Sequence, residues 1–210
     1  MMNLPNSLTL SRIFLVPVFL TVLLSGDFEL TLGGVVMNED WLALIIFLSA
    51  AATDFLDGYI ARSRGQVTTL GKLLDPIADK LLISAAFISL VELERVPAWV
   101  VVLIVGREFA VSGLRYVALA EGLAISASNL GKVKMAAQVF AVALLLVEPY
   151  GEIYKSLAYP ALAVAVVLTV VSMLDYFRGF WGVADPTATR MDVELIVLPD
   201  SGQKRDVSNR

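Results

Sequence analysis

Six apolar runs, each near the roughly 20 residues that a helix needs to cross a bilayer, govern what this chain can fold into. They fall at about Leu8–Ser25, Trp41–Arg62, Thr69–Val91, Pro97–Ala120, Leu130–Val147 and Ile153–Tyr176. The breaks between them hold Gly, Pro, Asn or clustered charge, the residues that end helices and build loops. Pro97 follows the break "ELERV" and suits a helix start, where its missing N–H costs nothing. Of 210 residues 58% are hydrophobic and 17% charged, and the mean hydropathy is +0.77. That is too apolar for a soluble domain of this length. The expected fold class is all-α, a polytopic integral membrane protein with six transmembrane helices. The first run follows Arg12 as a leader peptide would, but "LLSGDFEL" is a poor cleavage site, so it is read as a retained helix.

Charge assigns the sides. One set of flanks carries Arg12, then Arg62, Arg64 and Lys72, then Arg115, Lys132 and Lys134, then Arg178. The alternate set carries Asp27, Glu29, Glu39 and Asp40, then Glu92, Glu94 and Arg95, then Glu148, Glu152 and Lys155. Basic flanks face the cytoplasm, which places both termini there. The organisation expected is a membrane domain over 1–180 and a cytoplasmic tail over 181–210, in which "VELIVL" could form a short strand or a surface-lying segment and the rest reads as flexible.

The chain has no Cys and no His. That excludes disulfides, iron–sulfur clusters, cysteine nucleophiles and imidazole acid–base chemistry, and argues against zinc, which prefers nitrogen and sulfur ligands. A metal held here would be a hard cation on oxygen.

Against this background, "TDFLDGYIARSRGQVTTLGKLLDPIADK" stands out. Asp54 and Asp57 are spaced i, i+3, and Asp75 and Asp79 i, i+4, so each pair shares a face of its own helix. The two helices are consecutive and joined by a short loop, so the pairs can face each other across one gap at the cytoplasmic end. Gly58, Ala61, Gly71 and Ala78 lie on the same faces, where small side chains let a backbone or ligand approach. Single aspartates at helix ends are often caps. Four at these spacings, partly inside the apolar layer, repel one another unless a cation sits among them, and ionisable residues at that depth point to function. Two divalent ions bridged by carboxylates serve phosphoryl transfer, and oxygen-only ligation selects Mg²⁺ or Mn²⁺. Without histidine, a carboxylate is the natural base for an attacking alcohol.

The order Asp54-x2-Asp57-Gly58-x2-Ala61-Arg62-x8-Gly71-x3-Asp75-x3-Asp79 resembles, position for position, the signature of the CDP-alcohol phosphotransferases. The resemblance implies a six-helix membrane enzyme, commonly a homodimer, that moves a phosphatidyl or similar group from a CDP-linked donor to an alcohol and releases CMP. It implies that Asp54, Asp57 and Asp75 bind the metals and that Asp79 is the base, with some metal contact. Gly58, Ala61 and Arg62 would lie along the bound CDP, with Gly71 giving room beside them.

Other stretches bear on the alcohol. "NLPNSLTLSRIFLVPVFL" resembles the opening of bacterial phosphatidylglycerophosphate synthases, a branch of that family. Asn6, Thr9 and Arg12 could share a helix face beside the nucleotide; Asn6 as a helix cap and Arg12 as a topological anchor are the alternatives. Arg107 sits inside an apolar run beside Glu108, with Arg115 two turns on. Its alternatives are an internal salt bridge and a clamp on an anionic acceptor, since guanidinium binds phosphate bidentately. Lys132 and Lys134 begin the fifth run, as anchors or as a second basic cluster for phosphate. "REFAVSGLR" and "GKVK" also resemble the corresponding stretches of the phosphatidylglycerophosphate synthases, except that Met135 stands where a threonine is expected. That implies glycerol 3-phosphate as acceptor, held by Arg107, Arg115, Lys132 and Lys134, and CDP-diacylglycerol as donor, in a bacterial plasma membrane with the site facing the cytoplasm. No nucleic-acid partner is expected. Asp175 and Arg178, spaced i, i+3, are expected to pair locally. Alternatives from other classes are a carboxylate-lined cation transporter and a prenyltransferase, and within the family a transferase using inositol phosphate or another alcohol.

Overall fold

The computed structural model describes residues 4–26, 29–32, 35–64, 69–120 and 129–184, without the side chains of 4–9, 30, 32, 35, 54–77, 79, 119–120, 129 and 179–184. Six α-helices run through them: α1 (Leu4–Leu24), α2 (Glu39–Arg64), α3 (Thr69–Glu92), α4 (Ala98–Ala120), α5 (Asn129–Val147) and α6 (Glu152–Ala184). Each covers one of the apolar runs read from the sequence. Two strands, β1 (Glu29–Leu32) and β2 (Val35–Asn38), lie between α1 and α2 and pair antiparallel, with Glu29 opposite Asn38 and Leu32 opposite Val35. This hairpin was not expected; the segment reads as a loop by charge and glycine content, although paired glycines between apolar residues are also a hairpin signal.

The helices begin and end where local chemistry directs. Glu39 and Asp40 stand in the first turn of α2 and Glu152 in that of α6, where a carboxylate meets the positive end of the helix dipole. Gly26 follows α1 with φ +72°, a left-handed conformation that glycine adopts without strain. Between α3 and α4 the chain reverses through a tight helix-ending turn: Arg95 N–H donates to Leu90 O at 2.9 Å and Glu94 takes φ 58°. Glycine is the usual occupant of that position. Pro97 immediately precedes α4, and its carbonyl accepts from Val100 N–H at 3.0 Å, as the sequence led us to expect.

α1 packs on α2 and α3, α5 packs on α6 and α2, and α4 lies against α3 and α6. The core is a continuous set of apolar residues that includes Phe19, Phe47, Phe87, Leu90, Ile104, Val142, Leu145 and Leu146, all fully or almost fully buried. The Phe19 and Phe47 rings meet with centroids 6.0 Å apart, a favourable tilted contact. Ala43, Ala50 and Ala86 are fully buried, and their small size lets neighbouring helices approach closely. The outer surface is apolar too: Phe14, Trp99, Val102, Phe109, Phe140 and Ile153 are each at least 60% exposed. A water-solvated monomer rarely presents so much contiguous apolar surface. Among the described residues two segments, Leu130–Tyr150 and Glu152–Arg178, are long and apolar enough to cross a membrane.

At the end of the bundle where α2 begins, Arg95 fastens three elements. It donates to Asp40 at 2.9 Å and to the carbonyls of Leu145 and Leu146 at 3.2 and 3.0 Å. A guanidinium there satisfies carbonyls that α5 cannot satisfy itself and sits at the negative end of its dipole. Trp41 and Tyr150 stack nearby at 5.8 Å.

Candidate active site

All of the sequence-selected residues fall toward the opposite end. Asp54, Asp57, Gly58, Ala61 and Arg62 lie in the C-terminal part of α2, and Gly71, Asp75 and Asp79 in the N-terminal part of α3. The two helices are consecutive and pack together, so the backbone brings both aspartate pairs to the same end of one helical hairpin. Their side chains, and those of Asn6 and Thr9 in α1, lie outside the described residues. Among the described residues no group of three or more carboxylates could hold a metal ion. Ala78, on the same turn as Asp75 and Asp79, is fully buried, so this part of α3 faces the interior of the bundle.

Arg12, three residues from Thr9, is 1% exposed and engaged with a partner. An arginine used as a topological anchor extends its head to the interface; this one is enclosed. The structure therefore places Arg12 in the bundle's interior and does not support anchoring.

Three helices build a basic cluster. Arg107 and Glu108 come from α4, Lys134 from α5 and Ser172 from α6. Lys134 Nζ donates to Glu108 Oε1. Arg107 Nη1 reaches both Glu108 oxygens at 3.3 Å, and its Nη2 donates to Ser172 Oγ at 2.9 Å. The side chains are 10% exposed at Arg107, 14% at Glu108 and 5% at Lys134. Arg107 Nε is buried with no hydrogen-bond partner. Among the described residues the cluster thus holds two cations against one carboxylate and keeps an unused donor. Lys80, on α3 next to Asp79, bears electrostatically on Lys134. That relation ties the cluster to the turn of α3 that carries the aspartates.

Arg115 lies farther along α4, exposed, with its guanidinium carbon 5.8 Å from the centre of the Tyr176 ring. Such a contact contributes about 0.5–1 kcal/mol at exposed sites. Lys132 is exposed and is not brought into the cluster; two residues from Lys134, it points to a different side of α5. Asp175 and Arg178 are both exposed and form no ion pair with each other, which corrects the expectation of a local pair. The solvated termini of long side chains gain little from such a contact.

Sequence reading missed the contribution of α6. Ser172 holds Arg107, the buried Tyr176 underlies Arg115, and Thr169 accepts from Gln138 Nε2 at 3.3 Å. The signal was present as polar residues on one face of an apolar helix, Thr169, Ser172 and Tyr176 at i, i+3 and i+7, opposite Lys134 and Gln138 at i, i+4 on α5.

The family model for CDP-alcohol phosphatidyltransferase matches residues 2–171. The chain belongs to the CDP-alcohol phosphatidyltransferase family. It is 46% identical over 186 residues to a CDP-diacylglycerol–glycerol-3-phosphate 3-phosphatidyltransferase of Bacillus subtilis, covering 86% of this chain and 96% of the relative. It is 37% identical to the enzyme of the same name from Rickettsia felis, covering 84% of this chain and 94% of the relative. A probable phosphatidylglycerophosphate synthase of Mycobacterium tuberculosis is 41% identical, covering 83% and 79%. The family match takes in the aspartate signature, Arg107, Glu108 and Lys134, and α6 as far as Val171, one residue short of Ser172. It displaces the transporter and prenyltransferase alternatives.

Proposed function

We propose that this chain transfers the phosphatidyl group of CDP-diacylglycerol to glycerol 3-phosphate, giving phosphatidylglycerophosphate and CMP in phospholipid synthesis. The observation that carries the acceptor assignment is the buried Lys134 with the largely enclosed Arg107, whose charge exceeds, among the described residues, that of the one carboxylate between them. Buried cations in excess of their counter-ions mark the place of an anion. A phosphorylated alcohol supplies that anion; serine or glycerol does not. The names of the Bacillus and Rickettsia relatives identify the same acceptor.

The donor's diphosphate belongs among the aspartates. Asp54, Asp57, Asp75 and Asp79 are all-oxygen donors in a chain without Cys or His, which suits Mg²⁺ or Mn²⁺. When bound, two such ions would neutralise the diphosphate and stabilise charge on departing CMP. Gly58, Ala61, Arg62 and Gly71, with Asn6 and Thr9 of α1, would line the nucleotide. Asp79 takes the proton from the primary hydroxyl of glycerol 3-phosphate. That oxygen bonds to the phosphorus bearing the diacylglycerol as the bond from that phosphorus to the CMP oxygen breaks. Most of the rate enhancement comes from placement and electrostatics.

The same reading places the six helices across a bacterial plasma membrane, both termini and the site on the cytoplasmic side and the acyl chains left in lipid. The apolar outer surface supports this. A homodimer fits α4, where Trp99, Val102, Gly106, Phe109, Gly113 and Tyr116 recur at heptad spacing. Of these Trp99, Val102, Phe109 and Tyr116 are more than half exposed, and a Cβ built on Gly106 or Gly113 meets nothing within 4 Å. The test is release of CMP from CDP-diacylglycerol with Mg²⁺ or Mn²⁺ and each acceptor in turn. Release with glycerol 3-phosphate alone is expected. Preference for inositol phosphate or serine would move the chain to another branch of the family.

A further inference from the structure

We propose that Glu108 is a positioning residue for the acceptor-phosphate site: a resident counter-anion that keeps Lys134 charged inside the bundle and holds Arg107 loosely, leaving its fork for the phosphate. This rests on the acceptor reading above. Lys134 has the most enclosed side chain of the three, 5% exposed, and the charges of Arg107 and Lys80 both oppose its own. A cation so enclosed needs an opposite charge beside it. The carboxylate it contacts is Glu108.

Arg107 is held differently. It and Glu108 are adjacent on one helix, so their side chains leave the axis about 100° apart and do not naturally face each other. Their contacts are both 3.3 Å, longer than the roughly 2.7–2.9 Å of a strong charge-assisted bond. The firmer contact of Arg107 is with Ser172 on α6 at 2.9 Å. Arg107 Nε remains a buried donor without an acceptor. A phosphate has three oxygens and more charge than a carboxylate, and it can engage the guanidinium edge that Glu108 grips weakly. Glu108 therefore stays with Lys134, Ser172 fixes the plane of Arg107, and the free edge of Arg107 points the surplus charge at the incoming acceptor.

The test uses the full-length enzyme with CDP-diacylglycerol in mixed micelles, measuring both Michaelis constants and kcat. Glu108→Gln is expected to raise KM for glycerol 3-phosphate about tenfold, the worth of one charge-assisted contact. The KM for CDP-diacylglycerol and kcat should change by less than about twofold. Glu108→Asp keeps the charge one methylene shorter and should raise the same KM by about threefold. In Glu108→Gln combined with Lys134→Met the loss should be no greater than in Lys134→Met alone, because the lysine no longer needs a counter-ion.

If Glu108→Gln leaves the acceptor KM unchanged or lowers it, while Arg107→Ala and Lys134→Met raise it, the inference fails and the acceptor reading stands. If Arg107→Ala and Lys134→Met leave it unchanged as well, the acceptor reading fails and takes the inference with it. Where the Gln variant does not fold, Glu108→Asp decides by the same split: a raised acceptor KM at constant kcat supports the proposal and an unchanged one overturns it.

Discussion

Two part-buried arginines of the same helical bundle, Arg95 and Arg107, are used in opposite ways. At one end Arg95 is matched one-to-one by Asp40 and spends its remaining donors on the carbonyls of Leu145 and Leu146. The leftover polar atoms there are acceptors, Asp40 Oδ1 and Glu148 Oε2. At the other end Arg107 and Lys134 share one carboxylate, their contacts draw on three helices, and the leftover atom is a donor, Arg107 Nε. The first network is balanced in charge and serves the fold. The second has, among the described residues, positive charge to spare, which is what the proposed acceptor site requires. Burial alone does not distinguish them; the count of charges and the sign of the unused atom do.

The comparison can be broken or sharpened experimentally. The largest effect is expected at the aspartate hairpin that the basic end adjoins. Asp79→Asn should lower CMP release by about 10²–10⁴-fold, the usual worth of a positioned base, without lowering the unfolding temperature; near-normal turnover would remove Asp79 from that role. At the balanced end, Arg95→Met strands Asp40 in the interior and should cost about 3–5 kcal/mol of stability. Thermal unfolding in detergent would read this, with kcat/KM of the folded enzyme unchanged. At the open end the pattern should invert. Arg107→Ala should lower kcat/KM for glycerol 3-phosphate by roughly 10–100-fold, one charge-assisted hydrogen bond at about 1.5–3 kcal/mol, with less effect on stability than Arg95→Met. Equal destabilisation by both would erase the distinction. Glu94→Gly, in the turn beside Arg95, should stabilise the fold by about 1 kcal/mol by relieving a left-handed non-glycine residue. Lys132→Gln should change the acceptor KM by less than about twofold, since an exposed charge beyond the cluster is screened.

The helices were legible because their signal is collective. A run of about twenty apolar residues with polar breaks tolerates local ambiguity, and α3 begins at Thr69 and α5 ends at Val147 as read. α6 continues to Ala184, past the end of the run read from the sequence, because "FRGFWGVA" over 177–184 holds a single charge and no proline, and a helix once formed extends at little cost. The β1–β2 hairpin was not legible, since each strand has only four residues and the surrounding charge reads as a loop. The rest of the tail reading, including the "VELIVL" strand, lies outside the described residues.

The site divides the same way. Residues whose chemistry is written in fixed spacing, such as Asp54, Asp57, Asp75 and Asp79, stand out in the sequence itself. Residues that matter through a partner on another helix do not. Nothing local to Ser172 announces that Arg107 will donate to it across 65 positions of sequence. The one-dimensional reading treated Arg107, Arg115, Lys132 and Lys134 as equals. Packing separates the enclosed pair, Arg107 and Lys134, from the exposed Arg115 and Lys132.

The most direct measurement is CMP release with glycerol 3-phosphate and with glycerol, side by side, for the unaltered enzyme and for Arg107→Ala. The two acceptors share the attacking hydroxyl and differ only in the phosphate that the basic cluster is assigned to hold. The unaltered enzyme should strongly favour glycerol 3-phosphate, and Arg107→Ala should lose most of that preference while its slow reaction with glycerol is unchanged. Equal use of both acceptors by the unaltered enzyme, or full preference retained in Arg107→Ala, would contradict the account.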